Sequence, residues 1–553
     1  MSIGMLAACS AIRVDHQSFA KGASSSINGD DDSADWYSLL NNFQVVPGKK
    51  LPGSLASGYF KDEAHQDGWG KLNVETTKNS SIPEGMSYWA AGYMEGYLSW
   101  HYMANFSANY FNLMFNTTDP TQFPPEVTEF VNQNYQWTVA TANASASSDP
   151  YWHQVNMIIE QLDGLLAGYN AACAANSHPP MTAYEMLLVN LIGDINDIIT
   201  ATTSTDLSFQ PQSRAELEKF LAEQGRCSGL IKLTPDYSDL FVSHTTWGSY
   251  SSMLRIYKRI KIDVASVQYG NEMLFSSYPG VLVSDDDFYM VHPSKLVVIE
   301  TTNSIVNQTL YSLIKTDTVL YWIRNLVSNR LSDNGSTWVN TMMRYNSGTY
   351  NNQWMVVDYK LFTPFQPLLP NTLWIVEQMP GRFEMADVTI ILQNGYWSSF
   401  NRPFFPSIYE AMGYDYYVQL YGNSMSYQLN PRALIFRRDQ NNVQSLTDMM
   451  SIMTYNDWRS DPFSEGYPGN AIASRFDIKG GPAGPAGWFF HGTHGGIDSK
   501  LTSSQLVANF EAYAISGPTV TPDCPPFKWS DWPDIPHVGL PDEYNFDWVH
   551  MKL

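Results

Sequence analysis

Cys227 and His244 stand seventeen positions apart in "GRCSGLIKLTPDYSDLFVSHTTW" (residues 225–247), and both residue types can do chemistry. A thiol at its ordinary pKa of about 8.5 is mostly protonated at neutral pH, so a nucleophilic cysteine needs activation. A nearby histidine can act as base or orienter. Cleavage of the peptide bond before Cys227 offers a second base. It would free an α-amine with a pKa of about 7.7–8.0 on the nucleophile's own residue. The thiol can itself make that cut by attacking the Arg226 carbonyl, leaving a thioester for water to resolve. The plain alternative is a small buried hydrophobe, the commoner fate of a lone cysteine. A histidine at a strand end is likewise more often a satisfied structural residue.

Other motifs carry less. No G-x-S-x-G elbow, H-E-x-x-H pair, P-loop or G-x-G-x-x-G turn is present, which removes the usual signals for serine lipases, zincins and nucleotide binders. "FHGTHGGIDSK" places His491, His494 and Asp498 near one another, but its glycines read as a turn and no third ligand is evident for zinc or iron. "SDDD" (284–287) lacks EF-hand spacing and reads as a solvated turn. No metal site and no cofactor is expected.

The elements around the cysteine are strand-like. "SGLIKL" and "DLFVSH" flank a turn centred on Pro235 and Asp236, and antiparallel pairing about that centre sets Cys227 opposite His244. Directly opposed α-carbons lie within about 5.5 Å. Further runs, "KLVVIETT", "QWMVVDY", "TLWIVEQM" and "DVTIIL", are rich in β-branched and aromatic residues and read as strands. "VLYWIRNLVSNRL" (319–331) reads as an intervening helix. Ahead of residue 227 the pattern is helical: "GMSYWAAGYMEGYLSWHYMANF", with Gly92 and Gly96 permitting close packing, then residues 151–172 and 182–199. The expected architecture is α+β. The expected division is a leader and flexible segment at 1–60, a helical fragment at 61–226 and a nucleophile-bearing fragment at 227–553.

Composition sets the outer bounds. A chain that is 44% hydrophobic and 14% aromatic is globular, and its aromatics suit an ordinary core or an apolar or sugar-binding cleft. A net charge of −22 repels phosphate backbones, which argues against nucleic acid as a partner. It also repels anionic membranes near neutral pH; acid would relieve this and permit transient contact with a membrane surface. The cysteines (Cys9, Cys173, Cys227, Cys524) show no metal-like spacing and no disulfide scaffold. No run reaches the roughly 18 apolar residues of a membrane span. "MSIGMLAACSAIRV" has small residues around Ala11 but no basic start, a weak or trimmed signal peptide. Sequons at Asn79, Asn105, Asn116, Asn143, Asn307 and Asn334 lean towards a glycoprotein of the secretory pathway.

The ordered set "CSGLIKL…DLFVSHTTW", "VVIETTNS", "NSGTYNNQWMVVDY", "YWSSFNRPFF", "NPRALIFRRD" and "YNDWRSDPFSEG" resembles the phospholipase B-like family. The likeness reaches back to "AAGYMEGYLSW" and forward to "PHVGLPDEYNF", from about residue 60 to the end. It implies an N-terminal-nucleophile hydrolase with an αββα sandwich, made as a precursor and cut between Arg226 and Cys227. The nucleophile carries over to Cys227, and the neighbouring His and Trp to His244 and Trp247. "NRPFF" is similar to the oxyanion-hole setting of bile-salt hydrolases and implies Asn401 as an oxyanion donor. Thr302, with Thr301 beside it, would line the pocket, and Arg432, with Arg437 as rival, would sit near the nucleophile. His244 and Trp247 stand where the bile-salt hydrolases have an arginine and an aspartate, so amidase activity of their type does not follow. The function implied is a secreted or lysosomal acyl hydrolase of glycerophospholipids working through a Cys227 thioester. The alternatives are an N-acyl amide hydrolase of the same fold and a non-catalytic glycoprotein that binds lipid or sugar.

Overall fold

Val, Ile and aromatic side chains suit a pleated, packed surface, and most of the runs rich in them become strands. The computed structural model describes residues 34–204, 226–480 and 490–553, with a few positions between 205 and 225. Cys9, the apolar start and its signal-peptide reading lie outside the described residues. Among the described residues eleven strands form one sheet. Across it run Arg382–Asp387, Leu373–Met379, Asn352–Asp358, Leu296–Thr302, Phe288–His292, Glu272–Ser277, Arg255–Lys261, Trp69–Thr76, Ser54–Glu63, Tyr37–Leu40 and Val45–Pro47. A second sheet of six runs Tyr396–Ser399, Arg226–Leu233, Leu240–Ser249, His494–Thr502, Ala512–Ser516 and Val549–Met551.

Strand side chains alternate between faces, and here both faces of each sheet are covered. Ile231, Leu233, Leu240 and Val242 of the small sheet pack with Val297, Ile299, Met355 and Val357 of the large one. On the other face of the small sheet, Leu230, Phe241 and Leu501 meet Ile435, Phe436, Met449 and Met453 from helices Pro431–Asp439 and Leu446–Met453. The far face of the large sheet, with Leu72, Val74, Leu296 and Val298, packs on the helices that precede residue 204 and on Tyr321–Leu331. The layers are helix, sheet, sheet, helix, the α+β sandwich expected.

The early helices interlock through glycine. Helices Glu84–Leu98 and Pro150–Ala175 cross where a Cβ on Gly92 would lie 2.0 Å from the Gln161 carbonyl oxygen, and one on Gly164 2.0 Å from that of Trp89. The single helix read over 85–106 is instead two, Glu84–Leu98 and Trp100–Phe115. They part at Ser99, whose hydroxyl donates to the Glu95 carbonyl (2.7 Å). The span 182–199 likewise divides into Ala183–Asn190 and Ile195–Thr203, and at the break the Asn190 side chain bonds the backbone of Gly280 and Leu282.

"DVTIIL" is not a strand. The strand ends at Asp387, whose carboxylate accepts from the Thr389 N–H (2.9 Å) and starts the short helix Thr389–Leu392. Residues 37–60 enter the large sheet, ahead of the boundary drawn at 61. Trp69–Thr76 pairs in parallel with Arg255–Lys261, so one continuous sheet joins chain from both sides of residue 226. Cys173, Cys227 and Cys524 are buried free thiols.

Candidate active site

Strands Arg226–Leu233 and Leu240–Ser249 form the expected hairpin, but two residues out of the expected register. Cys227 pairs with Thr246, and Gly229 with His244. The connection spans Thr234–Asp239 and is pinned by Thr234, whose N–H donates to the Asp239 carbonyl (3.0 Å). Its centre therefore lies one residue beyond the assumed Pro235–Asp236 position. A two-residue slip keeps the face because the side-chain period is two. Cys227 and His244 thus share the face that looks between the sheets, on a diagonal.

Two carboxyls meet the thiol there. Cys227 Sγ lies 3.8 Å from Glu300 Oε1 and 3.9 Å from Asp286 Oδ1, and His244 Nε2 lies 3.7 Å from the same Glu300 oxygen. Cys227, His244 and Glu300 are all 0% exposed. Burial, then Glu300 and Asp286, push the thiol well above its ordinary pKa. Within the intact chain Cys227 is a neutral thiol.

The "SDDD" run is not a solvated turn. Asp285 and Asp287 are buried, and desolvation holds both carboxyls, and that of Glu300, well above the usual range. Asp287 accepts from the Tyr321 hydroxyl (2.9 Å) and Asn325 (3.3 Å). Asp285 and Asp286 adopt φ of 48° and 63°, two consecutive residues in the left-handed region. Tyr350 contributes its hydroxyl to the Asp286 N–H (2.8 Å) and to Glu300 (3.3 Å).

Behind His244 lies a chain of buried charges. Lys500 Nζ is 3.0 Å from His244 Nδ1, and it also donates to Thr246 Oγ1 (2.5 Å) and Asp498 Oδ1 (2.6 Å). Arg255 Nε donates to the other Asp498 oxygen (2.7 Å). An ammonium only donates, so Nδ1 accepts and the ring proton sits on Nε2, facing Glu300. Burial, Lys500 and Arg255 together hold the His244 pKa well below its ordinary value. His244 is neutral, with Nε2 turned towards Glu300 at 3.7 Å, beyond hydrogen-bond reach, and it does not take the thiol proton.

The ligand atoms of Cys227, His244 and Glu300 fall within 4.8 Å of one another, a spacing a metal could use. A protonated Nε2 offers no lone pair, so the donor chemistry does not fit one. The other metal corner is not assembled either. Asp498 is committed to Lys500 and Arg255, His491 turns to the Asp477 carbonyl (3.1 Å), and "HGG" opens the strand His494–Thr502 rather than a turn.

Asn401 and Arg432 grip the backbone of Cys227. Asn401, at φ 63°, accepts on Oδ1 from the Cys227 N–H (3.1 Å) and Arg432 Nη2 (2.7 Å), and Nδ2 donates to the Thr302 carbonyl (2.6 Å). Arg432 Nη1 donates to the Cys227 carbonyl (2.5 Å), with its guanidinium 4.3 Å from the centre of the Trp247 ring. Trp247 pairs with Arg226 and so occupies the face opposite Cys227, its Nε1 donating to the Ile472 carbonyl (3.0 Å). Thr302 reaches the site through its carbonyl, whereas the Thr301 hydroxyl is satisfied by Ser399 (2.6 Å). Arg437 bonds the Gln428 carbonyl (2.9 Å) and stays apart.

A family model for Phospholipase B matches residues 56–551. The chain belongs to the phospholipase B family. Phospholipase B-like protein E of Dictyostelium discoideum is 51% identical over 525 residues, covering 94% of both chains. Phospholipase B-like protein F of that organism is 49% identical, over 95% of this chain and 94% of its own. Phospholipase B of Crotalus adamanteus is 36% identical, over 94% and 92%.

In this phospholipase B family chain a cleft of about 510 Å³ is lined by Trp247, Tyr278, Asp286, Thr302 and Tyr350 among others, and Asp286 joins it to the Cys227 thiol. Sequence reasoning missed Asp286, Glu300, Lys500 and Arg255. A signal existed for Glu300, a lone charge inside the apolar strand run LVVIETT, since such residues are almost never fully buried unless paired.

Proposed function

We propose that this phospholipase B family chain is an acyl hydrolase of glycerophospholipids with Cys227 as nucleophile, exposed by cleavage of Arg226–Cys227. The observation that carries the reading is the grip on Cys227: a buried thiol on the inter-sheet face, with both its main-chain N–H and carbonyl held by side chains, Asn401 and Arg432. A structural cysteine needs no such clamp. The printed names of the relatives, phospholipase B and phospholipase B-like proteins, support an acyl lipid or phospholipid as substrate.

Cleavage would turn the N–H now bonded to Asn401 into a free α-amine, whose ordinary pKa of about 7.7–8.0 suits a base near neutrality. The amine takes the thiol proton through a water, and Sγ attacks the acyl carbonyl. The departing lipid alcohol receives the proton, and water resolves the thioester. The Asn401 amide stabilises the oxyanion, and must release the Thr302 carbonyl to do so. His244 orients Glu300 beside the sulfur. Arg432 and Trp247 brace the strand, and Thr302 shapes the wall. The parallel pairing of Trp69–Thr76 with Arg255–Lys261 would hold the two fragments together. Among the described residues no helix is long and apolar enough to cross a membrane; it is the sequons that support a secreted or lysosomal location.

Intact mass and N-terminal sequencing of an active preparation test the reading. A fragment starting at Cys227, with Cys227→Ala abolishing both cleavage and hydrolysis, is expected. Lipid hydrolysis surviving in Cys227→Ala would refute the site. Turnover of only the amide members of a matched ester and amide lipid series would refute the ester substrate.

A further inference from the structure

The α-amine that serves the mature enzyme does not exist until the chain is cut, so the cut itself requires a different base. The atoms around Cys227 Sγ narrow the choice. His244 Nε2 carries a proton, because Lys500 donates to Nδ1 at 3.0 Å. Glu300 Oε1 already accepts from the Tyr350 hydroxyl (3.3 Å) and faces the His244 N–H (3.7 Å). Asp286 differs: Oδ2 accepts from the Tyr278 hydroxyl (2.5 Å), and Oδ1 faces the sulfur at 3.9 Å. The guanidinium of Arg255 lies 3.8 Å from the centre of the Tyr278 ring, placing a fixed positive charge behind the tyrosine that holds Asp286. Two consecutive left-handed residues, Asp285 and Asp286, and the Tyr350 hydroxyl on the Asp286 N–H aim this carboxyl.

We propose that Asp286 is the general base for self-cleavage of the Arg226–Cys227 bond. The inference rests on the reading that Cys227 cuts this bond. Asp286 Oδ1 takes the Sγ proton, and Sγ bonds to the Arg226 carbonyl carbon through a five-membered ring. The tetrahedral intermediate collapses with rupture of the C–N bond, and the Cys227 nitrogen receives the proton that Asp286 had taken. A thioester and a free amine result. Water adds to the thioester carbonyl, Sγ leaves and regains a proton, and Arg226 keeps the new carboxyl group.

Freshly made full chains, followed by intact mass, test this. Asp286→Asn is expected to slow cleavage by about 10²-fold or more, the usual loss for a general base, with a melting profile like that of Cys227→Ala. Hydroxylamine, which cleaves thioesters, should release no fragments from Asp286→Asn, because the block precedes thioester formation. Formate should accelerate cleavage of Asp286→Ala by restoring a carboxylate, and Asp286→Glu, which keeps the carboxylate, should cleave faster than Asp286→Asn. Cleavage of Asp286→Asn at the wild-type rate, or its full rescue by hydroxylamine, would overturn the assignment while leaving Cys227 as nucleophile. A wild-type chain that hydrolyses lipid uncut would overturn both.

Discussion

Lys500 holds its ammonium 3.0 Å from Nδ1 of His244, and the same nitrogen is bonded to Asp498 and Thr246. This contact decides which end of the imidazole carries the proton, and so what the ring presents to Glu300 and Cys227. Lys500→Met keeps the stem and removes the donor. Wild-type His244 should show the Nε2–H tautomer by ¹⁵N NMR, and the variant a mixture. Removing one member of a buried charge set commonly costs about 3–5 kcal/mol, so the urea midpoint should fall too. An unchanged tautomer would contradict the role given to Lys500.

Asn401→Ala removes the proposed oxyanion donor and one of two acceptors of Arg432 Nη2, which keeps the Phe400 carbonyl (2.7 Å). Loss of one such donor typically lowers kcat about 10²–10³-fold. The expected result is a mature, cut protein whose kcat for lipid ester falls by that factor while KM changes little. A rise in KM alone, with kcat unchanged, would assign Asn401 to binding.

Acid should stabilise the fold. Burial pushes the carboxyls of Asp197 and Glu377 up to about 7. A carboxyl raised in the native state binds its proton more tightly there than when unfolded. Its contribution is therefore complete below the unfolded value near 4 and is lost as pH climbs through about 7. For Glu377 the shift corresponds to something on the order of 3 kcal/mol. Urea midpoints should rise from pH 8 to pH 5, and Asp197→Asn should flatten part of that slope. A midpoint that falls on acidification over this range would contradict it.

Gly164→Ala drives a Cβ to within 2.0 Å of the Trp89 carbonyl oxygen. Backbone on both sides leaves no flexible side chain to give way, and overpacking costs about 1–3 kcal/mol. The denaturant midpoint should drop accordingly. Neither Gly164 nor Trp89 lines the cleft, so hydrolysis by the folded fraction should persist.

Glycans should map to Asn79, Asn116 and Asn143, which are exposed. Asn105 packs against Gly539, Asn307 donates to the Ala411 carbonyl (3.3 Å), and Asn334 caps a helix through Thr337 (2.9 Å). Glycopeptide mass spectrometry showing sugar at these three and none at the exposed sites would reverse the assignment.

The hairpin that carries Cys227 was legible because its partners are neighbours in the chain, and a period of two survives an error of two in register. Asn401 and Arg432 were legible only through motif resemblance. Residue types alone put neither beside Cys227, which lies 174 and 205 positions away.

By itself the sequence determined the strand runs, the glycine contact between early helices and the identity of the nucleophile candidate, all properties carried by local pattern or motif. Tertiary structure decided the chemistry of the site. Three aspartates in a row belong in water unless other groups come to them. Tyr278 bonds the Asp286 carboxylate, Tyr321 that of Asp287 and Tyr350 the Asp286 N–H, with Arg255 as the nearby cation, and these groups come from four separate segments. Lys500 reaches His244 across 256 residues. Proton positions follow from desolvation and the approach of distant charges, and no local window of sequence records either.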